Sequence, residues 1–249
     1  MQETPPLPEG SILFWLHVPR TAGTAINRAL GEALGPAILH SQAVANAALA
    51  AGEPYEAYIQ ARPAIYEGIR VIAGHMRVDD ALVRLCPRPA AFAGVLREPL
   101  ARAVSLYEYV RNTPGHPAYG PIRRMTLFQA IQALPGMRDN VVCAQVIQLF
   151  HTHDRVEIAR RIATGRYLLG RHDRLDLFWP AMQGLLGIAA PLGRANGSRE
   201  LVEASALAPP GQEPDFAQAM DLIRNYSAHE IAFYERMPPL ILSPALRAG

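Results

Sequence analysis

Two stretches of this sequence set anion-binding residue types at spacings that chemistry can use. The first, His17-Val-Pro-Arg-Thr-Ala-Gly-Thr24, joins an apolar segment to a run of helical periodicity. A strand–loop–helix unit aims several backbone N–H groups and the positive helix end at one spot. Gly23 lets the chain approach a ligand closely, Thr21 and Thr24 add hydroxyls, and Arg20 adds a cation. That set suits a di-anionic group. The alternative is an ordinary strand–turn–helix with a threonine cap. GxxxxGK[ST] is absent and no lysine precedes Thr24, so this is not the phosphate loop of nucleotide hydrolases.

The second stretch reads Leu96-Arg-Glu-Pro-Leu-Ala-Arg-Ala-Val-Ser-Leu-Tyr107. Arg97 falls at the C-terminal edge of an apolar segment, where ligands bind in open α/β sheets. Ser105 falls on the helix that follows, and Pro99 fixes the turn between them. A guanidinium and a hydroxyl converging on one phosphate make an anion clamp; the alternative is a surface arginine and a helix-interior serine. His151-Thr-His-Asp154 lacks a further ligand pattern and reads as a helix-start loop, so no metal site is expected. Asp79, Asp80 and Glu98 read as caps or ion pairs.

These residues need elements to hold them. Ile12–Val18, Ile69–Ala73, Ala90–Leu96 and Tyr167–Gly170 are short apolar runs and predict strands buried on both faces, as in a parallel sheet. Ala25, Ile26, Ala29, Leu30, Ala33 and Leu34 repeat at helical spacing, and Gly35-Pro36 ends that helix. Further helices are predicted over 100–111, 126–134, 139–150, 154–163, 173–187 and 215–236. Residues 1–10 read as a loose leader and 188–215 as a long loop region. Residues 237–249 read as a loosely held tail, and 40–65 and 112–125 as variable loops. Strands alternate with helices, which predicts one α/β domain over 11–236.

The chain has 249 residues, enough for one domain with a full core. Formal charge is +2, too balanced for a nucleic-acid binder. All 24 basic residues are arginine, and this lysine-free, Ala/Arg/Pro-rich usage suggests a GC-rich bacterial gene. Cys86 and Cys143 lie outside any CxxC pattern and are expected to be buried free thiols. The N-terminus lacks a basic region followed by an apolar one, so no signal peptide is expected and the cytoplasm is the expected compartment. Apolar runs break well before the ~18 residues a membrane span needs.

Together the two motifs resemble the 5′-phosphosulfate and 3′-phosphate elements of sulfotransferases that use 3′-phosphoadenylyl sulfate (PAPS). The chain is most similar to the carbohydrate branch that includes the heparan sulfate 2-O- and 6-O-sulfotransferases. Those carry His-x-Pro-Lys-Thr-(Ala/Gly)-Gly-Thr and Arg-(Asp/Glu)-Pro-x-x-Arg-x-x-Ser; this chain has both in the same order. Weaker likenesses at Asp139-Asn140, Tyr167–Gly170 and Phe233-Tyr-Glu235 extend the resemblance over most of 11–236. It implies a P-loop-like three-layer α/β sandwich, with a central parallel sheet flanked by helices. It also implies that Arg20, Thr21, Ala22, Gly23, Thr24 and Ala25 hold the 5′-phosphosulfate and that Arg97 and Ser105 hold the 3′-phosphate. A sulfuryl donor carries less charge at the transferring group than a triphosphate, so a cradle without a metal suffices.

The family has lysine where this chain has Arg20, touching the oxygen that bridges phosphate and sulfate. Arg20 is either a working replacement or the mark of a PAPS-binding relative without transfer activity; guanidinium and ammonium differ in reach and hydration. Of the eight histidines, His75 is the expected general base. It follows a strand and a glycine, as a base histidine does in the uronyl 2-O-sulfotransferases, and imidazole suits that role near neutral pH. The implied acceptor is a hydroxyl, by family likeness that of a saccharide. A P-loop kinase or NTPase is the competing enzyme reading, disfavoured by the missing lysine and the lack of a magnesium-holding strand end. Oligomeric state is not readable.

Overall fold

The computed structural model describes residues 4–141, 144–193 and 209–247, with the side chains of Asn140 and Val141 left aside. Two compact units emerge, one of Met1–Leu96, Val146–Gly193 and Met237–Gly249, the other of Arg97–Gln145 and Arg194–Arg236.

The first unit is built on a six-stranded sheet in the order β2-β3-β1-β4-β5-β6. The strands are β1 (Ile12–Leu16), β2 (Ile38–His40), β3 (Val71–Gly74), β4 (Ala90–Leu96), β5 (Tyr167–Arg171) and β6 (Leu240–Leu242). All neighbours pair in parallel except β5 and β6. Every residue of β1 is buried, as a central strand covered on both sides requires. Leu13, Trp15, Val71, Ala73, Ala93 and Val95 turn to one face. There Ile26 and Leu30 of α1 (Gly23–Leu34) and Phe178 and Met182 of the helix Leu175–Leu186 pack against them. On the other face Phe14, Phe92 and Tyr167 stack in a row, and Phe150 closes on Tyr167. This is the three-layer α/β sandwich with a central, mostly parallel sheet that the sequence predicts.

Strand order fixes where a ligand has room. The connection from β1 runs toward β2 and that from β4 toward β5, so the two diverge between adjacent strands. The carboxyl ends at such a switch point border a crevice.

Three elements differ from the sequence reading. Residues 40–65 are not a plain loop but hold α2 (Ser41–Ala51) and α3 (Tyr55–Gln60). Residues 240–242 form the antiparallel edge strand β6, and Leu246 behind it is fully buried, so the tail is tied into the sheet at its edge. The long helix over 215–236 breaks at Ser227 into Phe216–Tyr226 and Ala228–Arg236. Cys86 is a free thiol and half-buried, its pKa raised by burial; Cys143 lies outside the described residues. Most of the loop expected over 188–215 also lies outside them. No helix among the described residues is long and apolar enough to cross a membrane.

The second unit is helical. Its helix Pro99–Arg111 starts where Glu98 accepts hydrogen bonds from the N–H groups of Leu100 (3.0 Å) and Ala101 (2.6 Å), with Pro99 at the first helical position. Ala103, Leu106, Tyr107 and Val110 face a core shared with Leu127, Ile131, Ala219 and Ile223.

Candidate active site

In the first unit the chain leaves β1 at Leu16 and turns through His17–Ala22 into α1. Arg20 (φ 69°) and Ala22 (φ 71°) are both left-handed, a conformation that costs a non-glycine residue about 1–2 kcal/mol. Ala22 caps α1 without any side-chain hydrogen bond. A left-handed residue leading into a right-handed helix turns successive N–H groups toward one concavity, which favours an anion. Residues 17–24 contain no carboxylate.

Two loop residues are committed elsewhere. The Thr21 hydroxyl is fully buried and donates to the Val18 carbonyl at 2.8 Å, so what Thr21 offers a ligand is its backbone N–H. The space above Gly23 is filled by the His17 imidazole: a Cβ there would fall inside contact of Cδ2 and Nε2 and 2.5 Å from Cε1. The glycine serves a close approach, but its partner in the structure is a histidine of the same loop.

His17 is 8% exposed and stacks on His75, with ring centroids 4.2 Å apart. Burial, then the neighbouring His75, then Arg20 pull its pKa down to about 3, so the ring is neutral in any ordinary buffer. The His17 N–H donates to the Gly74 carbonyl at 2.8 Å and ties the loop to the end of β3. Its own carbonyl accepts from His75 Nδ1 at 2.8 Å and from Gln148 Nε2 at 3.0 Å. A carbonyl can only accept, so His75 carries its proton on Nδ1, and in the neutral ring Nε2 holds the lone pair. Gln148 also donates to the Met76 carbonyl at 3.1 Å, holding the chain on both sides of His75.

His75 is exposed and lines a cavity of about 560 Å³. Gly74 leaves room there for Ser41: a Cβ at 74 would collide with the Ser41 hydroxyl and lie 2.9 Å from its Cβ. The cavity also takes in Asn27, Tyr55 and Asp80. Tyr55 donates to Asp80 Oδ1 at 3.2 Å, and its pKa is raised by burial first and by that carboxylate second. Asp80 caps a short helix by accepting from Leu82 N–H at 2.9 Å.

In the second unit Arg97 and Ser105 line one cavity of about 480 Å³, with Glu98 and Glu108 beside them. Burial lowers the Arg97 pKa, opposed by Glu108 and Glu98. The Arg97 backbone is clamped by Gln145, whose Oε1 accepts from Arg97 N–H and whose Nε2 donates to Arg97 O, each at 2.8 Å. Gln145 is itself held by Glu230, which accepts from its Nε2 at 2.7 Å and its backbone N–H at 2.8 Å. Both are fully buried.

No protein-family model and no curated protein matches the chain. Among solved structures it is similar to a mouse sulfotransferase, SULT7A1, complexed with PAP, at 11% identity over 94% of this chain and 92% of that one, with a TM-score of 0.37. At that score the likeness adds nothing to what the strand order shows.

The structure thus brings His75 onto the loop that carries Arg20–Ala25, and brings Arg97 and Ser105 around one hollow. No group of three metal-ligating side chains gathers among the described residues. His151 instead pairs with Asp79 at 3.0 Å and contacts Arg77, while Asp154 caps the next helix. Sequence reasoning passed over Gln145, Gln148 and Glu230. Gln145 and Glu230 stand 85 positions apart and Gln148 reaches 131 positions to His17, so no local pattern marks them.

Proposed function

We propose that the chain is a sulfotransferase that moves a sulfuryl group from PAPS to a hydroxyl, that of a saccharide by family likeness. One observation carries the reading. The anion-favouring turn after β1 and the exposed imidazole of His75 are joined by a hydrogen bond that fixes the His75 tautomer. The residues fit the group: an uncapped helix start, a left-handed turn, one arginine and no acid in the loop. When bound, PAPS supplies the sulfuryl group. The N–H groups of Thr21–Thr24 and the Arg20 guanidinium hold and neutralise the 5′-phosphosulfate, while the Ala25 N–H donates to the Ala22 carbonyl at 3.1 Å and closes the first turn beneath it. Arg97 and Ser105 hold the 3′-phosphate, with Gln145 setting the Arg97 backbone. His75 Nε2 takes the proton of the acceptor hydroxyl, while Nδ1 stays bonded to the His17 carbonyl.

A thermal-shift titration with PAP tests binding. At a hundredfold excess over Kd, stabilisation of about 2.7 kcal/mol, roughly 5–10 °C at this chain length, is expected. Radiolabelled transfer to a saccharide panel tests chemistry. Arginine in place of the family lysine keeps a second reading alive, a PAP-binding protein without transfer; a melting shift with no labelled product from any acceptor would select it.

A further inference from the structure

The cavity at His75 has a direction. Ser41, Ala45, Ala48 and Leu49 of α2 line it at the i, i+4, i+7, i+8 spacing of one helix face, with Gln42 next to Ser41. Its polar end, Ser41, abuts Gly74 and so lies beside His75. From Ser41 to Leu49 the face runs about 12 Å and turns apolar. Of the three large apolar side chains left exposed among the described residues, Leu49, at 80%, is the one on this cavity. Beyond it the wall is Glu53 and Tyr55.

Charge narrows the occupant further. No arginine is among the described residues that line this cavity, and the chain has no lysine. Its carboxylates are Asp80 and Glu53, the latter held by both ends of Arg62 at 2.7 and 2.9 Å. Carboxylate or sulfate groups on an acceptor would meet the Asp80 carboxylate and find no arginine or lysine among these lining residues, whose other titratable groups are Tyr55 and the imidazoles of His17, His40 and His75. Asn27, Ser41 and Gln42 can hydrogen-bond hydroxyls instead.

We infer that the acceptor is an uncharged amphiphile, a hydroxyl-bearing sugar or polyol head on an apolar body. The head sits at the His75–Ser41 end and the body lies along Ala45, Ala48 and Leu49. This rests on the sulfotransferase reading for what happens to the hydroxyl, but the preference is one of binding and is read without transfer.

Ligand-observed NMR on the full chain, below micellar concentrations, would compare octyl β-glucopyranoside, its 6-carboxylate analogue (octyl β-glucopyranosiduronic acid) and methyl β-glucopyranoside. The octyl glucoside should bind at least tenfold more tightly than either, and Leu49→Asp should weaken it about tenfold while the circular dichroism of the variant stays that of the parent. Equal binding of the carboxylate analogue or the methyl glucoside, no binding of any probe, or an unchanged Leu49→Asp variant would overturn the inference. A PAP melting shift measured in parallel separates the two ideas. A PAP shift without amphiphile preference defeats this inference alone; amphiphile preference without a PAP shift defeats the sulfotransferase reading alone.

Discussion

Replacing Gly23 by alanine separates two roles for this residue by the sign of its effect on stability. Gly23 opens α1 and is not among the glycines with positive φ, so alanine can adopt its backbone conformation. If the glycine only made room for a ligand, the unliganded protein should gain about 0.4–1 kcal/mol from the reduced freedom of its unfolded chain. The built Cβ, however, falls inside the buried His17 ring. That ring is hemmed in by Trp15 at 6.4 Å and His75 at 4.2 Å between centroids. Overpacking of this kind costs about 1–3 kcal/mol, a fall in Tm of roughly 2–4 °C per kcal/mol for a chain of this length. His17→Ala removes the obstruction, so the double variant should recover most of the loss, with a coupling of about 1–3 kcal/mol in a double-mutant cycle. Thermal and urea unfolding of the four proteins provide the cycle. A Gly23→Ala protein as stable as the parent, or more so, would refute the packing argument.

Three more predictions follow from the same geometry. His75→Ala should lower single-turnover sulfuryl transfer by about 10²–10⁴ while PAP still raises the melting temperature, since the loss is of a proton acceptor; full-rate transfer would remove His75 from the chemistry. Arg97→Ala gives up a charge-assisted contact of about 1.5–3 kcal/mol, so calorimetry should find PAP bound roughly ten- to a hundredfold more weakly; undiminished affinity would take the guanidinium out of the phosphate site. His17 titrates at about 3 in the folded state against about 6.5 when unfolded, so between those values the unfolded chain binds more protons and stability falls as pH falls. From pH 6.5 to 5 that amounts to about 1.6 kcal/mol, and His17→Asn should flatten that part of the curve; identical acid slopes would count against the buried neutral ring.

What the sequence discloses follows from how far each interaction reaches along the chain. Buried parallel strands read as continuous apolar runs, so β1, β3, β4 and β5 were legible, as was α1, whose apolar stripe ends at Gly35. Helix α2 was not: only Val44 and Ala48 are buried in Ser-Gln-Ala-Val-Ala-Asn-Ala-Ala-Leu-Ala-Ala, so alanine propensity carries the helix with almost no apolar period to see. Strand β6 has three residues between prolines and forms by pairing with β5, more than 65 positions earlier. At the site, the motif residues could be named because they are contiguous. Their bracing could not be, since Ser41 against Gly74 and Gln148 on the His17 carbonyl come from separate elements.

That bracing changes what the loop after β1 asks of its residues. With the Thr21 hydroxyl spent on Val18 and the space over Gly23 filled by His17, two of its side-chain features serve the loop's own shape. Anion binding then falls to backbone N–H groups and to Arg20. Because His17 is held neutral, the fixed cation within residues 17–24 is that one guanidinium. Left-handed backbone at Arg20 and Ala22 persists only where the surroundings over-determine it, and the His17 N–H to Gly74, His75 to the His17 carbonyl and Gln148 to the same carbonyl do so. A planar fork tolerates less misplacement than an ammonium on a flexible stem. An arginine therefore suits this position only if the loop is held rigid, and the three bonds converging on His17 are what hold it.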